Sequence, residues 1–336
     1  MSETLVTGGT GFLGTHLLAV LQERGEKSLR VLTAASGSAA DALRQRGIEV
    51  VEGSITSPEA VERAVAGAER IYHLAGRVSR KPEDVRLLHE VHVEGTRLLC
   101  QAARQAGVGR IVLASTSGTI AITGDGKTIP DETHPTPLPL IARWPYYASK
   151  LYQERVAQQE CVEGPELVIL NPSLLLGPGD SRLSSTEDVL KFLGRDVPAI
   201  PPGGLNFVDV RDVAPVFAEA MKRGRPGERY LLGGYNWTFE NFFERLERLT
   251  KVKGPRLRAP GKLFERGAQV LDAVYRQWEK SPPVDRVSVE MAHCFWYLDA
   301  SKARRELAFS VRDSGETLYD TVAYLKEHFL GSAVWR

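Results

Sequence analysis

The chain has 336 residues, 43% of them hydrophobic and 25% charged, which is length and apolar content enough for a sizeable core and too much for a disordered chain. Its 43 Lys and Arg against 42 Asp and Glu leave no charge excess of the kind that nucleic acid or an acidic membrane surface selects. Cys100, Cys161 and Cys294 are scattered with no C-x-x-C pair, no leader-like stretch precedes the first strand, and no apolar run nears membrane length, so a cytoplasmic protein with free thiols and no membrane span is expected.

Residues 4–7 read as a strand and run directly into a turn in which Gly8, Gly11 and Gly14 lie three apart, a G-x-x-G-x-x-G spacing. Glycine permits a tight turn and a close approach of backbone N–H groups to a bound group. Phe12, Leu13, Leu17, Leu18 and Leu21 fall on one helical stripe, so a helix starts near Phe12 and its N-terminus is suited to a pyrophosphate. Further short apolar runs at 28–33, 48–52, 69–74 and 109–115 alternate with helical patterns at 12–24, 38–46, 58–66 and 84–106. A helix follows at 145–161 and a buried strand at 168–171. This alternation predicts an α/β fold, a doubly wound parallel sheet of Rossmann type with ligands at the carboxyl ends of its strands.

Proline and glycine then cluster at 172–179 and 198–204, which reads as long loops leaving the sheet. Helical patterns at 184–194, 238–251, 260–279, 284–295 and 314–329 predict a smaller, mostly helical lobe, with the amphipathic 260–279 packing on it. Residues 1–175 are thus expected to form the dinucleotide-binding domain and 176–336 the substrate-binding lobe, with 205–232 returning to the first domain.

Two stretches carry chemistry. Tyr146 and Lys150 in WPYYASK share one helical face a turn apart. A phenol near pKa 10 is a poor acid or base at neutral pH until its phenolate is stabilised, and a nearby ammonium supplies that. In VLASTSGT a strand ends in Ser115, Thr116 and Ser117, any of which can place a hydroxyl beside Tyr146 to hold a substrate oxygen. His16 and His73 belong to no ligand-spaced cluster, so no metal site is expected, and Cys100 on an apolar helical face reads as a buried small hydrophobe.

With these three elements in order, the chain resembles the extended short-chain dehydrogenase/reductases, most closely the branch of dihydroflavonol reductase-like and 3β-hydroxysteroid dehydrogenase-like enzymes. IYHLAG at 71–76, HVEGT at 92–96, NPSLLLGPGD at 171–180, LNFVDVRDVA at 205–214, GERYLLGG at 227–234 and SKARREL at 301–307 support it. The resemblance implies a dinucleotide pyrophosphate cradled from Thr7 to Gly14, with Gly8, Gly11, Phe12 and Leu13 in contact. It implies a catalytic set of Thr116 (Ser115 as the alternative), Tyr146 and Lys150, with the last two also touching the cofactor. Leu74, Ala75 and Gly76 would flank the cofactor, and Pro172, Ser173 and Leu174 would lie by the nicotinamide. Asp209 and Arg211 match a family segment and are read as structural.

Three positions depart from the pattern. Ser54, followed by Ile55, stands where the family carries Asp for the adenine amine, and His92 stands where it carries Asn. Ala34 ends the second strand where a carboxylate would select NAD or an Arg would select NADP. With no carboxylate to repel a 2′-phosphate, and with Ser36 and Ser38 as donors, a weak preference for NADP(H) over NAD(H) is expected. The function expected is hydride transfer between nicotinamide and a carbonyl or secondary alcohol of a small molecule. The alternatives are a nucleotide-sugar epimerase or dehydratase, which consumes no added cofactor, and a non-catalytic dinucleotide sensor or scaffold. No nucleic-acid partner is expected, and the reading allows a homodimer.

Overall fold

The computed structural model describes residues 3–258 and 286–331. Five strands are laid down early: β1 (Glu3–Thr7), β2 (Leu29–Thr33), β3 (Glu49–Glu52), β4 (Ala68–His73) and β5 (Arg110–Ala114). β6 (Glu166–Pro172) and, much later in the chain, β9 (Arg229–Leu232) complete one sheet, ordered β3-β2-β1-β4-β5-β6-β9. Every neighbouring pair in it is parallel. That explains why its central strands read as unbroken apolar runs: both faces are covered. The strand order reverses beside β1, and the crevice at that switch point opens at the carboxyl ends of β1 and β4.

One face is covered by α1 (Phe12–Glu23) and α9 (Val210–Arg223), through Leu17, Leu18, Leu21, Val213 and Phe217. The other face carries α3 (Pro58–Val65), α5 (Gly95–Gln105) and α7 (Pro145–Glu160), through Val61, Leu99, Cys100 and Ala157. α2 (Ser38–Gln45) lies beyond β2. The expected helix 84–106 is α4 (Val85–His89) and α5 joined by a π-helical turn, Glu90–Glu94, with His92 inside it. Such a turn rotates the helix by an extra residue and commonly marks a functional position.

The second half departs from the sequence expectation in three respects. Residues 172–179 do not form one long loop: Leu174–Leu176 is a strand, β7, that leaves the main sheet and pairs in parallel with β8 (Gly204–Asp209). β8 also pairs antiparallel with β10 (Tyr235–Thr238), giving a three-stranded sheet that the sequence reading did not contain, and α9 directly after β8 was missed too. The short α6 (Leu138–Ile141) precedes α7. Around the small sheet, α8 (Glu187–Leu193), α10 (Phe239–Thr250) and α13 (Ser314–Leu325) bury Phe192, Phe207, Phe242, Leu246 and Leu318 in a separate core. α11 (Arg286–Ala292) and α12 (Ser301–Leu307) lie between α10 and α13. The amphipathic stretch 260–279 lies outside the described residues. Among the described residues no helix is long and apolar enough to cross a membrane.

Candidate active site

The glycine turn is shaped by contacts that leave no room for side chains. Gly8 has φ +74°, and a Cβ there would sit 2.7 Å from the backbone of Leu74 and Ala75, so the turn presses against the segment that leaves β4. A Cβ on Gly14 would lie 2.2 Å from the Gly8 carbonyl oxygen, so the first turn of α1 packs directly on the glycine turn. Gly11 is the N-cap of α1 and no side chain caps it, which leaves the first amides, from Phe12 and Leu13 onward, open at a positive helix end. Leu74 N–H donates to the Thr7 carbonyl and Ala75 N–H to the Thr7 hydroxyl, both at 3.1 Å, tying β1 to β4 at the mouth of the crevice. The buried Ser173 hydroxyl has no hydrogen-bond partner, while its N–H donates to the Leu232 carbonyl at 2.9 Å. Pro172 ends β6 and Leu174 opens β7 on either side of it. A glycine cradle without side chains and an orphaned buried hydroxyl across the crevice fit a bound dinucleotide.

The adenosine end is less committed. Ala34 and Ser36 are exposed beyond β2. The Ser54 hydroxyl is 2.8 Å from that of Thr56 and accepts from Thr56 N–H, so it is engaged in its own turn. The Ile55 side chain is buried against Gly95, where a Cβ would come within 2.9 Å of it.

At the other end of the crevice, α7 brings Tyr146 and Lys150 to the carboxyl end of β5. Pro145 at the first helical position presets the start of α7. Burial raises the Tyr146 pKa, the neighbouring Tyr147 adds to that, and the Thr116 side chain acts on the phenol in the opposite sense. Thr116 is therefore the hydroxyl beside Tyr146, and it remains partly exposed. Ser115 is not equivalent: it is buried and its hydroxyl donates to the Glu154 carboxylate. The two adjacent hydroxyls just past β5 thus have different surroundings, Ser115 on Glu154 and Thr116 beside Tyr146.

Lys150 is 5% exposed and its ammonium donates to the Ala114 carbonyl at 2.9 Å and to Gln153 Oε1 at 2.8 Å. Burial pushes its pKa down to about 8, with the charge of Glu154 opposing that fall. Gly76 leaves the approach to it clear, since a Cβ there would lie 3.5 Å from the ammonium and 3.1 Å from His92 Nε2. His92 Nε2 accepts from the Arg77 N–H at 3.0 Å, which fixes the proton on Nδ1, and Nδ1 then donates to Ser149 Oγ at 2.8 Å. Ser149 donates in turn to the Tyr146 carbonyl at 2.8 Å. His92 thus ties the segment after β4 to α7 from inside the π-helical turn. Burial and the Lys150 charge hold it well below the ordinary histidine range, so it is neutral.

Gln153 and Glu154 in this network escaped the sequence reading. Gln153 joins Lys150 to Thr96 Oγ1 at 2.9 Å, and Thr96 meets His73 Nε2 at 2.8 Å. His73 Nδ1 lies 2.7 Å from Thr7 Oγ1, so one buried polar chain runs from the glycine turn to Lys150. Glu154, one turn beyond Lys150, takes Thr119 Oγ1 at 2.9 Å and Asn171 Nδ2 at 2.7 Å besides Ser115. Its four-residue spacing from Lys150 repeats that between Tyr146 and Lys150 and was the one available signal. Asn171 also donates to the Thr116 carbonyl at 3.0 Å. Asp209 caps α9 and pairs with Arg211 at 2.7 Å, away from this chemistry.

Beside Tyr146 stands an aromatic wall. Tyr147 lies 5.0 Å from the Tyr146 ring and 5.0 Å from Trp296, and Trp296 stacks on Trp144 at 5.6 Å. Gly118 admits Tyr147, since a Cβ there would lie 2.2 Å from its ring.

Comparison with known proteins agrees with this architecture. The profile of the NAD dependent epimerase/dehydratase family matches residues 4–233. Sterol demethylase protein B of Methylococcus capsulatus is 34% identical over 327 residues, 96% of this chain and 98% of that one. A Synechocystis protein with the provisional name dihydroflavonol 4-reductase is 34% identical over 328 residues, covering 96% and 94%. The crystal structure of gox2253 superposes with a TM-score of 0.84 at 29% identity, over 98% of this chain and 99% of that one. The chain belongs to the NAD dependent epimerase/dehydratase family, on the extended short-chain dehydrogenase/reductase branch of dihydroflavonol reductase-like enzymes, and is an NAD(P)-dependent oxidoreductase.

Proposed function

We propose that the protein transfers a hydride to or from a carbonyl or secondary alcohol on an apolar, ring-bearing small molecule, with Thr116, Tyr146 and Lys150 as its catalytic set. The observation that carries this is the convergence of the Thr116 hydroxyl on the Tyr146 phenol, with the buried Lys150 ammonium one turn away and clear of side chains at Gly76. A bound nicotinamide supplies or receives the hydride. Thr116 donates to the substrate oxygen and Tyr146 gives or takes the proton there. Lys150 carries the positive charge that favours the phenolate and holds a ribose hydroxyl. Tyr147 sets a flat apolar surface beside Tyr146 and is backed by Trp296, which suits a planar ring system better than a nucleotide sugar. The name of the Methylococcus relative, a sterol demethylase protein, points the same way.

NADP(H) is the favoured cofactor by up to about tenfold, because no carboxylate ends β2. The test is NAD(P)H absorbance with ketosteroids, flavonoids and UDP-sugars, for the wild type and Tyr146→Phe. Turnover should fall by about 10²–10⁴ in the variant while cofactor affinity stays unchanged. A Phe variant with most of its activity would overturn the assignment, and turnover of a sugar nucleotide without net cofactor use would point to an epimerase.

A further inference from the structure

The segment 177–186, between β7 and α8, is built around a buried carboxylate. Asp180 is 1% exposed, and its oxygens accept from Ser184 N–H and Oγ–H at 3.0 and 2.8 Å, from Ser185 N–H at 2.8 Å, and from Thr186 N–H and Oγ–H at 3.0 and 3.1 Å. Five bonds to one carboxylate hold the loop in a single shape, with Leu183 in the left-handed region at φ +52°. Arg182 stands on this loop, exposed, and its Nη2 donates across the crevice to Thr10 Oγ1 at 3.3 Å. Thr10 belongs to the glycine turn, and its hydroxyl also lies 3.3 Å from that of Thr33, the last residue of β2. The guanidinium is therefore held at the corner where the glycine turn meets the end of β2, and among the described residues it pairs with no carboxylate.

That corner is where a dinucleotide places the 2′-position of its adenosine ribose. The residues on β2's own side offer no cation there, since Ala34 is followed by Ala35 and Ser36. We propose that Arg182, reaching in from the opposite lobe, is the 2′-phosphate-binding and cofactor-selecting residue of this protein. A guanidinium can grip a phosphate with two donors, and here the Asp180-centred loop orders it before any ligand arrives. The inference rests on the reading of the crevice as a dinucleotide site.

The experiment titrates wild type, Arg182→Ala and Arg182→Lys with NADPH, NADH and 2′,5′-ADP by calorimetry at one ionic strength, with thermal melting to confirm folding. Arg182→Ala should weaken NADPH and 2′,5′-ADP by about 10–100-fold, the worth of hydrogen bonds to a charged group. NADH should change less than about threefold, and Arg182→Lys should recover part of the loss. Equal weakening of NADPH and NADH places the guanidinium on the pyrophosphate and overturns the proposal. So does an Arg182→Ala protein that binds all three ligands like the wild type. A wild type that binds none of them instead overturns the dinucleotide reading itself.

Discussion

Replacing Glu154 by Gln tests whether a residue that touches no substrate governs the site. Its side chain is 1% exposed, so the substitution acts in low dielectric, and it preserves size. One oxygen accepts from Ser115, Thr119 and Asn171, and the other lies 3.4 Å from the Arg229 guanidinium. Turning the carboxylate into an amide makes three charge-assisted hydrogen bonds neutral, at about 1 kcal/mol each. It also leaves Arg229 without its counter-charge; that side chain is 25% exposed, so solvent limits this further cost to about 1 kcal/mol. Relief of carboxylate desolvation offsets part of the sum, and a net loss of about 2–3 kcal/mol in urea unfolding is expected.

The functional consequence follows from Lys150. Burial already pushes its pKa down to about 8, and the charge of Glu154 is what opposes that fall. In Glu154→Gln the lysine should lose its proton at lower pH, so the alkaline limb of NADPH affinity should move downward. Affinity measured from pH 6 to 10 by fluorescence titration reads this directly. A variant with unchanged unfolding free energy and an unmoved or upward-shifted alkaline limb would refute the reasoning.

Gly14→Ala should cost about 10–100-fold in cofactor affinity, because a Cβ 2.2 Å from the Gly8 carbonyl oxygen forces the turn open; calorimetric affinity within threefold of wild type would contradict the cradle. His73 is buried between Thr7 and Thr96, and burial, with the Lys150 charge, lowers its pKa to about 3. The unfolded chain therefore takes up this proton first, so the stability His73 contributes is complete above about pH 6.5 and is lost as pH falls toward 3, by about 4 kcal/mol in all. Urea unfolding from pH 7 to 4 should show a steeper loss in wild type than in His73→Gln, and parallel curves would remove His73 from the account.

What was legible in the sequence follows from which forces act locally. β1, β2, β4, β5 and β6 are almost wholly buried inside the sheet, so each had to be a short apolar run, and the glycine spacing and the Tyr146–Lys150 pair are local geometry. β7, β8 and β10 were not legible because their sheet is held by pairings distant in sequence, such as Phe207 with both Leu174 and Tyr235. The choice between Ser115 and Thr116 was undecidable from adjacent hydroxyls alone. What separates them lies in other elements: Glu154 engages the Ser115 hydroxyl, while Asn171 donates to the Thr116 carbonyl.

His92 shows the same logic in reverse. Read as a sequence, His92 is a departure from the family's asparagine. In the fold, its fixed tautomer accepts from Arg77 N–H and donates to Ser149, so the ring spans from the segment after β4 to the helix that carries Tyr146. The ring is held there from inside the π-helical turn Glu90–Glu94. Because burial and the Lys150 charge keep the ring neutral, it adds no second cation next to the Lys150 ammonium.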